Sequence, residues 1–192
     1  MSNPTNKIIA VSFTTLDGVV EDPDGSWGRP FGGWAFRQGP QAFAGDKFRL
    51  GATLDTGTLL FGRSTWQLFS QRWPQRTGDF ADTMNRARKY VATRTIDVVD
   101  VWSNSAVLKG ELADGVEQLR AEGDVVVIGS TSIVHQLAAK NLVDEYRLLV
   151  FPIVLGSGER LFSDGGATDL ELVSADVVDA GVLLRYDVVH GG

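Results

Sequence analysis

The sequence predicts an α/β domain built on a mixed sheet, and three observations predict it. Short apolar runs bounded by glycine, "GTLLFG" (57–62) and "DVVVIG" (124–129), read as buried strands. A helical pattern follows each, "STWQLF" and "STSIVHQLAAKN", and this alternation is the mark of parallel strand–helix units. The chain then closes on strands with no helix between them, which indicates antiparallel pairing at the end.

In chain order, "KIIAVSFTTLDGVVE" (7–21) reads as a strand, a turn at Asp17-Gly18 and a short second strand. "DPDGSWGRPFGGWAFRQGP" (22–40) is a loop too rich in aromatics to be a solvated linker, so it packs over something. "QAFAGDKFRLGATLD" (41–55) is expected to be helical from the spacing of Phe43, Lys47 and Leu50. In "FGRSTWQLFSQRWP" the strand ends at Gly62, and Ser64 or Thr65 is the expected N-cap. A polar stretch precedes "KYVATRT" (89–95), a buried strand, and "DVWSN" (100–104) reads as a short one. "ELADGVEQLRAEG" (111–123) is an amphipathic helix ended by Gly123. "DEYRLLVFPIVLGSGERLF" is a long strand broken by Pro152 and a glycine-rich turn. The closing segment is a hairpin around Asp179-Ala180-Gly181.

With 192 residues, 43% hydrophobic and 22% charged, the chain is expected to form a single domain, 1–192. It has no cysteine, and its two histidines stand far apart, so no metal site is expected. No apolar run reaches a membrane span and the start lacks a signal-peptide pattern, so a cytoplasmic location is the expectation, with no membrane partner. The net charge of −6 argues against a nucleic-acid partner. That charge is uneven. Residues 29–94 hold 11 Lys and Arg against 4 Asp and Glu, and residues 95–192 hold 6 against 16. The basic middle is either a solvated face or a site for an anionic small molecule.

The second alternative gains weight from three strand ends. A strand that turns into a helix leaves unpaired N–H groups at the positive end of the helix dipole, which suits an anion. Gly62-Arg63, with Ser64 and Thr65, is one such end, and Thr93-Arg94-Thr95 closes another strand. Gly129 to Ser132 offers backbone N–H groups and three hydroxyls at a helix start. Ligands of open α/β sheets sit beyond the carboxyl ends of the strands, and two arginines there suit an extra phosphate such as the 2′-phosphate of NADPH. The turn lacks G-x-G-x-x-G, so a Rossmann reading is weak, and "GSG" (156–158) follows Leu155 and is no nucleophile elbow.

The order of "FGRSTW", "YVATRT", "VVVIGSTS" and "DEYRLLVFPIVLGSGERLF", after the opening "FTTLDGVVE", resembles the dihydrofolate reductase-like superfamily. The branch it is most similar to is the reductase domain of bacterial riboflavin biosynthesis, over about residues 7–189. The resemblance implies a three-layer fold, with a mostly parallel mixed sheet, helices on both faces and an antiparallel C-terminal hairpin. It also implies an NADPH-dependent reductase. By match, Arg63 and Thr65 would hold cofactor phosphates, Thr93 and Arg94 would sit near the 2′-phosphate, and Gly129, Ser130, Thr131, Ser132 and Ile133 would wrap the pyrophosphate. The family's usual Gly-Gly pair, which often carries a cis peptide, is Gly129-Ser130 here.

On the substrate side, the resemblance implies Asp46 as proton donor, with Asp17 a further matched carboxylate. Lys47 and Arg49 would read a substrate phosphate, and Trp27, Phe31, Trp34 and Phe36 would cover a flat heterocycle. The expected substrate is a riboflavin-pathway pyrimidine or a pterin-like compound. The alternatives are dihydrofolate reductase proper and a non-catalytic nucleotide-binding protein of the same fold. A flavin protein is a third, weaker reading. A homodimer is expected through the apolar C-terminal hairpin, whose edge would pair with a second copy.

Overall fold

The computed structural model describes residues 6–97, 99–162 and 167–191. Its strands are β1 (Ile8–Thr15), β2 (Thr58–Gly62), β3 (Arg88–Ala92), β4 (Ser105–Val107), β5 (Val125–Val127), β6 (Glu145–Phe151), β7 (Leu170–Val178) and β8 (Gly181–Val188). The helices are α1 (Gly51–Leu54), α2 (Arg63–Arg72), α3 (Asp79–Arg86), α4 (Leu112–Glu122) and α5 (Thr131–Ala138). Strand order in the sheet is β4-β3-β2-β5-β1-β6-β8-β7, so the α/β class and the antiparallel closing hairpin are present. The chain packs as two compact units. One holds the chain up to Ala10 with Arg49–Asp144, the other Val11–Phe48 with the chain from Glu145. Among the described residues, no helix is long and apolar enough to cross a membrane.

In the first unit the strands β4, β3, β2, β5 and the start of β1 pair in parallel. Leu59, Leu60 and Phe61 of β2 and all three valines of β5 are fully buried, as continuous apolar runs in a two-sided sheet require. Where "DVWSN" was expected to be a strand, the chain turns instead, and the pairing begins just past it at Ser105. Trp102 is the reason. Its ring is buried, donates its N–H to Asn85 Oδ1 at 2.7 Å, and packs on Phe61 and over the Lys89 ammonium. The polar stretch before β3 contains α3, whose first turn carries Asp79 and Asp82 against the helix dipole.

In the second unit β6, β8 and β7 form an antiparallel meander around the expected Asp179 turn. Its buried charges are paired. Glu145 Oε1 accepts from Arg147 Nε at 2.6 Å and from Arg185 Nη2 at 3.1 Å, and Arg147 Nη1 donates to the Phe48 carbonyl at 3.0 Å. The short strand expected after Asp17 reduces to one bridge, Val19 to Arg160.

The helix expected over 41–55 does not form. Residues 34–38 and 40–43 are 3-10 turns, Arg49 takes φ 54, and only Gly51–Leu54 is α-helical. Packing overrides the spacing here: Phe43 and Phe48 both turn onto Phe13, with ring centroids at 4.7 and 5.0 Å. The preceding aromatic loop is anchored by Asp22. Its buried carboxylate accepts the N–H groups of Trp27 and Arg29, each at 3.0 Å, and its carbonyl accepts those of Gly25 and Gly33. Asp22→Ala is expected to destabilise the protein by about 2 kcal/mol, because two N–H groups lose their acceptor. Denaturant unfolding measures this, and an unchanged midpoint would refute the anchoring role.

Candidate cofactor site

Parallel pairing brings the carboxyl ends of β2, β3 and β5 to one rim of the first unit. β2 ends at Gly62, which is itself the N-cap of α2, with no side-chain cap bond. The helix therefore starts at Arg63, ahead of the Ser64 or Thr65 cap expected from sequence. Arg63 and Ser64 are exposed in the first turn, Thr65 is half-buried, and the first-turn N–H groups have no partner within the helix. Gly62 N–H donates to the Gly129 carbonyl at 2.9 Å. A methyl group added at Gly62 would lie 2.6 Å from Ser130 Oγ and 3.1 Å from Ser130 N. Only glycine allows the two turns to approach this closely.

β5 leads into Gly129, at φ 74, and the Gly129–Ser130 peptide is cis. Ser130 caps α5 through its carbonyl, which accepts Ile133 N–H at 3.0 Å. The Ser130 and Ser132 hydroxyls bond at 2.8 Å, and Thr65 Oγ1 faces Gly129 from α2. Ile133 differs from its companions: its side chain is buried and its N–H is already used in the helix.

At β3, the pairing of Gly62 with Ala92 sets Thr93 beside Arg63. Arg63 Nη1 donates to Thr95 Oγ1 at 2.9 Å, and Thr95 N–H donates to Thr93 Oγ1 at 3.2 Å. Arg94 is exposed. The rim thus joins two helix N-termini, the arginines Arg63 and Arg94, and seven hydroxyl side chains: Ser64, Thr65, Thr93, Thr95, Ser130, Thr131 and Ser132. It is a donor-rich surface for a ligand carrying more than one phosphate.

The substrate-side residues are placed differently. Trp34 is fully buried, donates its ring N–H to the Glu21 carbonyl at 2.8 Å and meets Phe151 edge-on, so it presents no surface to a ligand. Trp27, Phe31 and Phe36 remain half-exposed on the same loop. Asp17 is engaged: its carboxylate accepts from Thr15 Oγ1 at 2.6 Å and from the Leu155 and Gly156 N–H groups, tying the 153–160 segment down. The Thr15 hydroxyl, helped by those N–H groups, holds its pKa down at about 2. Asp46 is half-buried in a loop, where a helix was expected. Lys47 pairs with Asp179 of the hairpin turn, and Arg49 is exposed. Asp17, Trp34, Asp46 and Lys47 belong to the second unit and Arg49 to the first. Among the described residues, no cluster of three or more His, Asp or Glu is arranged to hold a metal ion.

The comparisons agree with this architecture. The family described as the RibD C-terminal domain matches residues 6–184. An uncharacterized Bacillus subtilis protein, YyaP, is 26% identical over 186 residues, covering 92% of each chain. The fold is shared with a putative riboflavin biosynthesis protein from Shewanella, with TM-score 0.74, 19% identity and coverage of 96% of this chain and 99% of that one. It is shared too with a pyrimidine reductase-like protein from Corynebacterium diphtheriae, with TM-score 0.67, 14% identity and coverage of 98% and 94%. RibD from Acinetobacter baumannii superposes with TM-score 0.65 at 16% identity, and this chain, 98% covered, spans 59% of its length. A match that runs over nearly the whole chain, on the fold and branch its motifs resemble, means that the chain belongs to the RibD C-terminal domain family, a family of reductase type.

Proposed function

We propose that this chain is an NADPH-dependent reductase acting on a small nitrogen heterocycle, of the riboflavin-pathway pyrimidine type. One observation carries the reading. The rim of β2, β3 and β5 gathers Arg63, Arg94, Thr65, Thr93, Thr95 and the Gly129–Ser132 turn at two helix starts. The donor set fits the cofactor. Its groups could donate to phosphate oxygens, and the close packing of Gly62 on Ser130 holds the two helix starts side by side. Arg63, Thr65 and the α5 start would hold the pyrophosphate, with Arg94 and Thr93 on the 2′-phosphate. When bound, NADPH supplies a hydride to an unsaturated carbon of the substrate.

The chain's own residues then orient the partners and manage one proton. Arg63 is steadied by Thr95, so its guanidinium is presented with little loss of freedom. Asp46 is the group proposed to hold the proton delivered to the substrate nitrogen. Arg49 is proposed for an anionic group of the substrate, and Lys47 shares its charge with Asp179.

Titration with NADPH and with NADH, followed by tryptophan fluorescence, tests the reading; Trp66 lies on α2, one residue beyond Thr65. NADPH should bind more tightly. Arg94→Ala should erase that preference, and Arg63→Ala should weaken both cofactors by about tenfold, the scale of one charge-assisted contact. Asp46→Asn should abolish turnover while keeping NADPH affinity, which separates a reductase from a binding protein. Failure to bind either cofactor would sink the assignment.

A further inference from the structure

The meander of β6, β8 and β7 reaches back onto the segment that carries Asp46, and it does so at two points. Arg147 of β6 donates from Nη1 to the Phe48 carbonyl at 3.0 Å. One residue earlier, the Lys47 ammonium pairs with the Asp179 carboxylate in the turn between β7 and β8. The Lys47 side chain is 13% exposed and that of Asp179 49%, so a largely buried cation meets a half-exposed anion. Phe48 is held on Phe13, with ring centroids 5.0 Å apart, and Lys47 N–H donates to the Gly45 carbonyl at 3.2 Å. The cation therefore stands on fixed backbone, unlike a surface pair of two free side chains. In sequence it lies between Phe48 and Phe43, and the Phe43 ring is 4.6 Å from that of the half-exposed Phe36. Asp179 has φ 51, in a turn closed by the pairing of Val178 with Gly181. Asparagine or glycine serves such a backbone at least as well as aspartate. The turn itself asks for no charge. Lys47 does, since a buried ammonium without a counter-ion is costly.

Resting on the reductase reading above, we propose that Asp179 is a specificity-determining residue, which takes the place on Lys47 that a substrate phosphate would fill. A carboxylate and a phosphate oxygen satisfy the same ammonium in the same way. With Lys47 already neutralised, an incoming phosphate gains little attraction from it unless Asp179 is displaced, and that exchange costs affinity. An uncharged ribosyl substituent faces no such exchange. The pair thus narrows the advantage of a phosphorylated over a dephosphorylated ribosylamino-pyrimidine, and it does so from a hairpin turn 132 residues away in the chain.

Titration of the full chain with ribose 5-phosphate and with ribose, followed by amide NMR shifts, tests this without requiring turnover. Asp179→Asn keeps a residue suited to the turn and removes the charge. It should bind ribose 5-phosphate about tenfold more tightly than the wild type, the scale of one charge-assisted contact. Its affinity for ribose should not change. Asp179→Gly, which the positive φ also admits, should show the same gain. Adding Lys47→Met to Asp179→Asn should remove the gain, which assigns it to the ammonium. An affinity for ribose 5-phosphate that stays level or falls in both Asp179 variants, or a gain that survives Lys47→Met, would overturn the proposal. Turnover of a ribosylamino-pyrimidine with NADPH, measured separately, bears on the reductase reading alone. A wild type without turnover, whose Asp179→Asn variant still gains the phosphate, would remove the reaction and leave the role of the pair standing.

Discussion

Lys89→Ala is expected to cost about 3–5 kcal/mol of stability, the scale of stranding the partners of a buried charge. Lys89 is completely buried on β3. Its ammonium donates to the carbonyls of Asn85, Ala87 and Ser103 at 2.9, 2.7 and 3.1 Å, and lies 4.5 Å from the centre of the Trp102 ring. These acceptors end α3 and flank β4, so one side chain closes three backbone segments. Lys89→Met keeps the stem's apolar packing and should cost less than alanine. The pH dependence has a definite sign. Burial pushes the Lys89 pKa down to about 8 from its ordinary 10.5. Between those values the unfolded chain holds a proton that the folded chain has released, so this residue's contribution to stability rises with pH there. Denaturant unfolding of wild type and Lys89→Met across the window should show the wild type gaining on the variant. A constant difference would refute the lowered pKa of Lys89.

Gly62→Val is expected to abolish NADPH binding while leaving the sheet folded. Its first added carbon would stand 3.1 Å from Ser130 N, an atom of the main chain that cannot swing aside, and 2.6 Å from Ser130 Oγ. The Gly129–Ser132 turn would have to move away from α2, breaking the 2.9 Å bond from Gly62 to the Gly129 carbonyl. The two helix starts would then no longer face one ligand, and displacement of about 1 Å in such a cradle costs around a hundredfold. The comparison with Arg63→Ala is informative. That change removes a charge and leaves the cradle, so a deeper loss in Gly62→Val isolates the contribution of backbone approach. Equal losses in the two variants would show that the arginine alone carries the affinity.

Much of the first unit was legible in the sequence because its signals are local. β2 and β5 are uninterrupted apolar runs closed by glycine, and the helices after them keep a 3.6-residue period. The rim followed from topology, since parallel strands must finish on one side. What escaped was set by partners distant in the chain. Phe43, Lys47 and Leu50 have helical spacing, yet Phe43 and Phe48 are claimed by Phe13 some thirty residues earlier. Trp34 looked like a substrate cover and is a core residue, because its ring N–H finds the Glu21 carbonyl. Lys89 left no trace in the pattern, as its acceptors are backbone carbonyls that every residue possesses. Asp22 was half visible: Asp-Pro-Asp-Gly announces a turn, without saying that one carboxylate would tie down the loop beyond it.

The position of β5 has a consequence in time as well as in space. Only three residues long, it lies between β1 and β2 and pairs with both. The bond from Lys7 N–H to Asp124 spans 117 residues of chain. A chain emerging in order from its amino end must therefore hold β1 and β2 with unpaired edges until Val127 has been made, an interval in which they are open to wrong partners. The same short strand delivers Gly129 to the rim. Whatever binds that rim recognises only chains in which β5 has joined β2 and β3, and by mass action it would draw earlier intermediates toward that state.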